Sequence, residues 1–544
     1  MEGKDLEAEI HPLKNEEGQE QKAPVGPGKE AAESLHSRLS RCRAAAFFIS
    51  LFLCLLVVFV VSFIIPCPER PASQRAWSVN FSGTATLSFL ATEDIDNDKI
   101  QDVLFIYTST NDSDLSNHSC ADQGFSSPCS IMAALSGANG SVLWAKPVAQ
   151  DKVLADCGLL SPKSCSTCIL TSLSGSMQAI KSCTGNSLWS QLSSLGSKAS
   201  VLSPLLLLPD MDADGVLDLL MLSQNGQVHS SVISGRTGFQ IGHQLSLGVE
   251  GVGRPLLHLT SMGAYYVLLP CRTSRSLCSW SLKEIHKQVT GREDTVFKGD
   301  ALWEDTFNAT VSRLLLHNSG GIHQVVRVLG ARTEELLVVA AEALALLSDQ
   351  EQEPRWILGS TRVLRTPIIG NYKPQAKAVA VENGTNDKDR QILLFGLDSG
   401  AILWRQAFPS LPGAPESASL LTADSHSVFF FWGLPPSTST NQTVQAPQDA
   451  PHSLYMFHPT VPGFLLELLN VSAQVVAFRV VVLEPSRHAT ILLLTGPSPV
   501  SLVKYKVRDL IQHGRLVSLQ KSKPDSELAI RDRFSRLRYL NTKA

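Results

Sequence analysis

Two short acidic loops carry the residues with the clearest chemistry. Asp210, Asp212, Asp214 and Asp218 stand at positions 1, 3, 5 and 9 of one loop. Asp94, Asp96, Asp98 and Asp102 stand at the same positions of another. Four carboxylates in nine residues repel one another, and a hard divalent cation relieves that repulsion. Ca²⁺ prefers oxygen ligands wrapped this tightly. The backbone carbonyls of Val216 and Ile100, at position 7, complete each expected ligand set. Gly215 permits a sharp turn at position 6. Lys99 occupies that place in the other loop without the same freedom, so the Asp210–Asp218 loop is the expected stronger site.

The loops are not EF-hands. Position 12 is Met221 or Phe105 instead of a bidentate Glu, and an apolar, strand-like run follows each loop. The competing reading is a pair of solvated Asp-rich turns. Two copies with the same spacing and the same following strand favour the metal.

The elements that must position these loops are short strands. Asn139-Gly140 leads to Trp144, Thr184-Gly185 to Trp189, and Ser399-Gly400 to Trp404; Thr237-Gly238 begins a degenerate copy. The unit reads as strand, glycine turn, and strand ending in Trp. Gly140, Gly185 and Gly238 recur at intervals of 45 and 53 residues. Repeats of that length built from short strands indicate propeller blades. The expected fold is all-β: a seven- or eight-bladed propeller over residues 77–523, with paired β-sandwiches as the alternative. A short helix is expected within 300–317 and a Pro-rich polar loop over 434–451. A docked helix is expected in 524–544, capped by Asp525 or Ser526 and burying Ile530, Phe534 and Leu537.

Residues 44–65 form an uncharged apolar stretch preceded by Arg38, Arg41 and Arg43. Its length suits a transmembrane signal-anchor helix, and the Arg bias places the N-terminus in the cytosol. Residues 1–43 read as a disordered tail and 66–76 as a juxtamembrane stalk. Eight Asn-x-Ser/Thr sequons lie after the span: Asn80, Asn111, Asn117, Asn139, Asn308, Asn383, Asn441 and Asn470. That set fits a lumenal or extracellular glycoprotein region, at the cell surface or elsewhere in the secretory pathway.

Cysteine usage fits an oxidising compartment. Cys120 with Cys129 and Cys271 with Cys278 are the local pairs. Cys157, Cys165, Cys168 and Cys183 allow three connectivities that spacing does not rank. Cys67 is left over and could bridge a dimer beside the membrane; Cys42 is a candidate for palmitoylation or a plain cytosolic thiol. Charged residues are 18% of the chain and net charge is -3. No basic field for nucleic acid exists. No His-Glu-x-x-His, Gly-x-Ser-x-Gly or phosphate loop is present, so catalysis is not expected.

The Asp-x-Asp-x-Asp-Gly-x-x-Asp loops resemble those of FG-GAP repeats in integrin α-subunit propellers. Arg38–Arg43, Pro66-Cys67-Pro68, Gly124–Cys129 and Ile530–Arg538 resemble the single-pass proteins of family with sequence similarity 234 over nearly the full chain. That likeness implies a type II membrane protein with a propeller ectodomain and calcium at the two Asp loops. The integrin Gly-Ala-Pro element is absent, and the family brings no defined activity. The expected function is therefore binding of an extracellular or lumenal protein or glycan. A quinoprotein-like enzyme and a structural subunit of a membrane complex are the alternatives.

Overall fold

The computed structural model describes residues 44–60 and 73–540, apart from 86, 110–119, 159–164, 174, 192–199, 273–275, 294–295, 306, 308–320, 330–333, 349–353, 374–375, 386–388, 411–412, 435–451, 497–498 and 520–525. The expected tail 1–43, the end of the span, Cys42, Cys67, the polar loop and the sequons Asn111, Asn117, Asn308 and Asn441 lie outside the described residues.

The chain divides into two units, 1–70 and 71–544. In the first, residues 44–60 are helical. Their apolar side chains are exposed all round, with Phe48 at 65% and Phe52 at 66%. Among the described residues no helix is long and apolar enough to cross a membrane.

The second unit is a propeller of eight blades. Each blade is an antiparallel meander whose first strand runs innermost; the first strands of most successive blades touch. Apolar runs such as Val103–Tyr107 and Val428–Trp432 form second strands buried on both faces, because each blade is packed between two others. The hydrophobic clusters accordingly lie between neighbouring sheets.

The ring closes by sharing a blade. Blade 8 takes its three inner strands from Gln474–Val481, Thr490–Gly496 and Val500–Lys506, and its outermost strand from Ala76–Phe81 near the other end of the chain. A buried Lys504 reinforces the join. Its Nζ donates to the Gly137 carbonyl at 2.7 Å and to Ser73 Oγ at 3.0 Å, beside Glu484. Glu484 also accepts from Ser73 Oγ at 2.6 Å and pairs with Lys506.

Three blades depart from four strands. In blade 1 the short strand Gly83–Thr84 joins Leu90–Glu93 in pairing with Asp102–Ser109. Blade 7 gains a fifth, Arg515–Ser518. Blade 4 has three (Leu256–Leu259, Tyr265–Pro270 and Leu277–Ser281) and continues into a helix, Leu282–Thr290. That helix was not expected, although its buried Leu282, Ile285, His286 and Val289 carry a helical period. Residues 301–305 are helical, within the expected 300–317. The C-terminal helix spans Glu527–Ser535; Ser526 caps it and Ile530 and Phe534 are buried. Leu537 follows the helix and packs partly buried against the same cluster.

Among the described residues four disulfides lie in blades 1, 2 and 4. Cys120–Cys129 and Cys271–Cys278 match the local pairs. The open set resolves as Cys157–Cys168 and Cys165–Cys183.

Candidate metal centres at the blade turns

Both acidic loops join the first and second strands of a blade. Asp94–Asp102 lies in blade 1 and Asp210–Asp218 in blade 3. Their backbones match. Asn97 and Ala213, at position 4, have φ of 62° and 64°. Lys99 and Gly215, at position 6, have φ of 69° and 83°. Lys99 therefore adopts the conformation expected only of Gly215, and carries a strain that glycine avoids.

The structure brings together positions 1, 3 and 9. Asp94, Asp96 and Asp102 each place a carboxylate oxygen within 4.8 Å of the others, and so do Asp210, Asp212 and Asp218. Position 5 stands outside both trios. Asp98 Oδ1 accepts from the Ile100 N–H at 2.7 Å, and Asp214 Oδ1 from the Val216 N–H at 2.8 Å. Asp214 also pairs with Arg236 at 3.0 Å.

The ninth residue has a second role that spacing does not reveal. Asp102 and Asp218 are fully buried. Asp102 Oδ2 accepts from the Ile95 N–H at 2.7 Å in its own loop. Its Oδ1 accepts from the Gly137 N–H at 2.9 Å, in the turn between the third and fourth strands. Asp218 repeats this with Met211 N–H at 2.6 Å and Gly235 N–H at 3.0 Å. Each carboxylate thus brackets two turns on one face of its blade. Burial, against these backbone donors, pushes both carboxyls up to about 6.

The bracketed turns are also where neighbouring blades dock. Trp77 Nε1 of blade 8 donates to the Gly137 carbonyl at 3.2 Å, and Trp189 Nε1 of blade 2 donates to the Gly235 carbonyl at 3.0 Å. Trp144, Trp356 and Trp404 reach the next blade in the same way, at the Ser182, Leu397 and Pro462 carbonyls. The repeated glycine makes room for the ring: a Cβ on Gly238 would lie 2.3 Å from Trp189. The fourth strands do not end at Trp; they run on to Ala149, Gln191 and Pro409. The Gly-to-Trp repeat is a blade-to-blade clasp.

A cation fits the first loop on one further observation. Asp94 Oδ1 is buried and has no hydrogen-bond partner among the described residues. In the second loop Asp210 spends both oxygens on backbone, with Asp214 N–H at 3.1 Å and Gly215 N–H at 2.7 Å. Those N–H groups, together with Ala213's, outweigh a burial effect that raises it and hold the Asp210 carboxyl below its usual range. Among the described residues, the Asp94–Asp102 loop thus keeps an unpartnered buried carboxylate oxygen where the Asp210–Asp218 loop does not.

Of the described sequons, Asn80, Asn139 and Asn470 are exposed. Asn383 is 8% exposed on the second strand of blade 6, leaving little room for a glycan.

The fold and these turns define an eight-bladed β-propeller with acidic loops in blades 1 and 3. A family model described as the FAM234A/B beta-propeller matches residues 77–540. Protein FAM234A of Rattus norvegicus is 52% identical over 99% of both chains, and that of Homo sapiens 53% over the same share. Protein FAM234B of Homo sapiens is 28% identical over 92% of this chain and 83% of its own. The chain belongs to the FAM234 family.

Proposed function

We propose that this chain is a non-catalytic type II membrane glycoprotein whose propeller binds a protein or glycan partner at the cell surface or in the secretory pathway. Ca²⁺ in the acidic loops is a structural ion in this reading. The observation that carries the calcium part is the buried, unpartnered Asp94 Oδ1 within the trio Asp94, Asp96 and Asp102. The trio is not isolated, because Asp102 ties it to the Gly137 turn on which blade 8 docks. A cation there would steady the ring closure. Without a bidentate Glu, affinity is expected near the ~10⁻⁴–10⁻³ M of extracellular modules.

The apolar helix 44–60, exposed on every side, supports the membrane anchor. The Gly-to-Trp repeats, the one feature of quinoprotein kind, have a packing role between blades, which favours binding over redox chemistry.

The test uses the full chain in cells. Proximity labelling from a C-terminal tag should mark extracellular or lumenal proteins, and the purified chain should recapture a subset of them. An N-terminal tag should be reachable only after permeabilisation. Labelling of cytosolic proteins from the C-terminal tag would overturn the topology, and labelled neighbours with no recapture would overturn the binding role.

A further inference from the structure

We propose that the open edge of blade 4 is a docking site for an extended, basic peptide segment of a partner, which adds as the missing fourth strand. This deepens the partner-binding reading and rests on it.

Among the described residues, blade 4 is the sheet with fewer than four strands. Among the described residues, Leu277–Ser281 pairs only with Tyr265–Pro270. The chain then turns into the helix Leu282–Thr290, which adds no strand and packs mainly on the outer strand of blade 3, with further contacts to Tyr265–Pro270 and Leu277–Ser281. The approach is close: a Cβ on Gly242 would stand 2.1 Å from the Val289 carbonyl oxygen. The helix thus bridges blades 3 and 4 and does not pair with the free edge of its own blade. An uncovered edge presents unpaired N–H and C=O groups, which an added strand satisfies.

A groove of about 850 Å³ lies against the second half of the strand Leu277–Ser281. It is lined by Ser279 and Trp280 of the edge strand, by the outer strand of blade 3 at 245–247, by the helix, and by Gly299, Asp300, Ala301 and Glu304. Ser279 Oγ is buried without a hydrogen-bond partner among the described residues, a polar group that an incoming chain can satisfy. Glu284, Asp300 and Glu304 line the groove against the single cation Lys283. The excess of carboxylates selects a basic occupant. Backbone pairing along the edge selects an extended one, about as long as Leu277–Ser281.

The probe is a fluorescein-labelled Lys-Val-Lys-Val-Lys-Val peptide added to the full chain in detergent. Fluorescence anisotropy should report binding, and hydrogen exchange should slow within 277–281. The Glu-Val counterpart, and the Lys-Val peptide N-methylated along one edge, should bind much more weakly. Glu284→Lys, at an exposed site, should weaken binding roughly fivefold. The proposal is overturned if both charge types bind alike, if N-methylation has no effect, or if protection falls elsewhere. Self-association of the chain through 277–281 would also overturn it, by assigning the edge to a second copy. If Glu284→Lys leaves recapture of cell-surface partners intact, this surface is wrong while the binding role stands.

Discussion

Asp102 and Gly137 are joined by a 2.9 Å hydrogen bond that couples an acidic loop to a blade-docking turn. The Gly137 carbonyl in turn receives Trp77 and Lys504 from blade 8. One residue, Gly137, therefore connects the candidate metal centre to the closure of the ring through its N–H and its carbonyl. Asp102→Ala strands two backbone donors in a buried site. It should cost about 2–3 kcal/mol even in chelator, whereas Asp96→Ala, at an exposed position, should be near neutral there. Urea unfolding of both variants in chelator checks this; equal costs would separate Asp102 from the bracket role.

Calcium should raise the melting temperature of the full chain. At ten times the dissociation constant the stabilisation is about 1.4 kcal/mol. Asp96→Ala should remove the contribution of the first loop and Asp212→Ala that of the second. Because Lys99 holds φ of 69°, Lys99→Gly should stabilise by about 1 kcal/mol. Melting curves that ignore both calcium and chelator would remove the metal from these loops.

The clasp predicts a contrast between two glycines. Gly238 (φ 75°) and Gly263 (φ 79°) share the left-handed conformation, but a Cβ on Gly263 meets nothing within 4 Å. Both alanine variants carry about 1–2 kcal/mol of backbone strain. Gly238→Ala should cost about 1–3 kcal/mol more, because it displaces Trp189. Equal stabilities would show that the ring moves aside freely.

His458 should make the propeller sensitive to acid. It is 1% exposed, its Nδ1 sits 2.6 Å from Thr460 Oγ1, and burial lowers it to about 4. The unfolded chain, with His near 6.5, binds the proton first, so stability falls as pH drops from 6.5 to 4. Between pH 7 and pH 5 the loss is about 2 kcal/mol. Asp102 and Asp218 act oppositely in metal-free protein. Their folded values near 6 lie above the ordinary 3.8, so the folded state binds the proton first and gains stability as pH falls through that window. Unfolding at both pH values in chelator should therefore show pH 5 favouring the folded state by about 2 kcal/mol more, relative to pH 7, in His458→Gln than in wild type. An unchanged slope would assign the acid response elsewhere.

Glycan occupancy should follow burial. Peptide mass spectrometry should find glycans at Asn80, Asn139 and Asn470 and an unmodified Asn383. A glycan on Asn383 would mean that the second strand of blade 6 is displaced in the mature protein.

What the sequence determined by itself is local. The loops show in the Asp spacing, because a nine-residue turn is built from neighbours in the chain. The Cys120–Cys129 and Cys271–Cys278 pairs and the Ser526-capped helix are short-range in the same sense. The repeat period indicated the propeller class but left seven or eight blades open, since among the described residues blade 4 has three strands and the closing blade borrows one from residues 76–81. Other features needed the folded ring. Whether Asp102 serves as ligand or as bracket depends on Gly137, 35 residues away. Whether the repeated Trp packs within its blade or across to the next depends on how blades are stacked. Composition and spacing are blind to both, because these contacts join segments that only closure of the ring brings together.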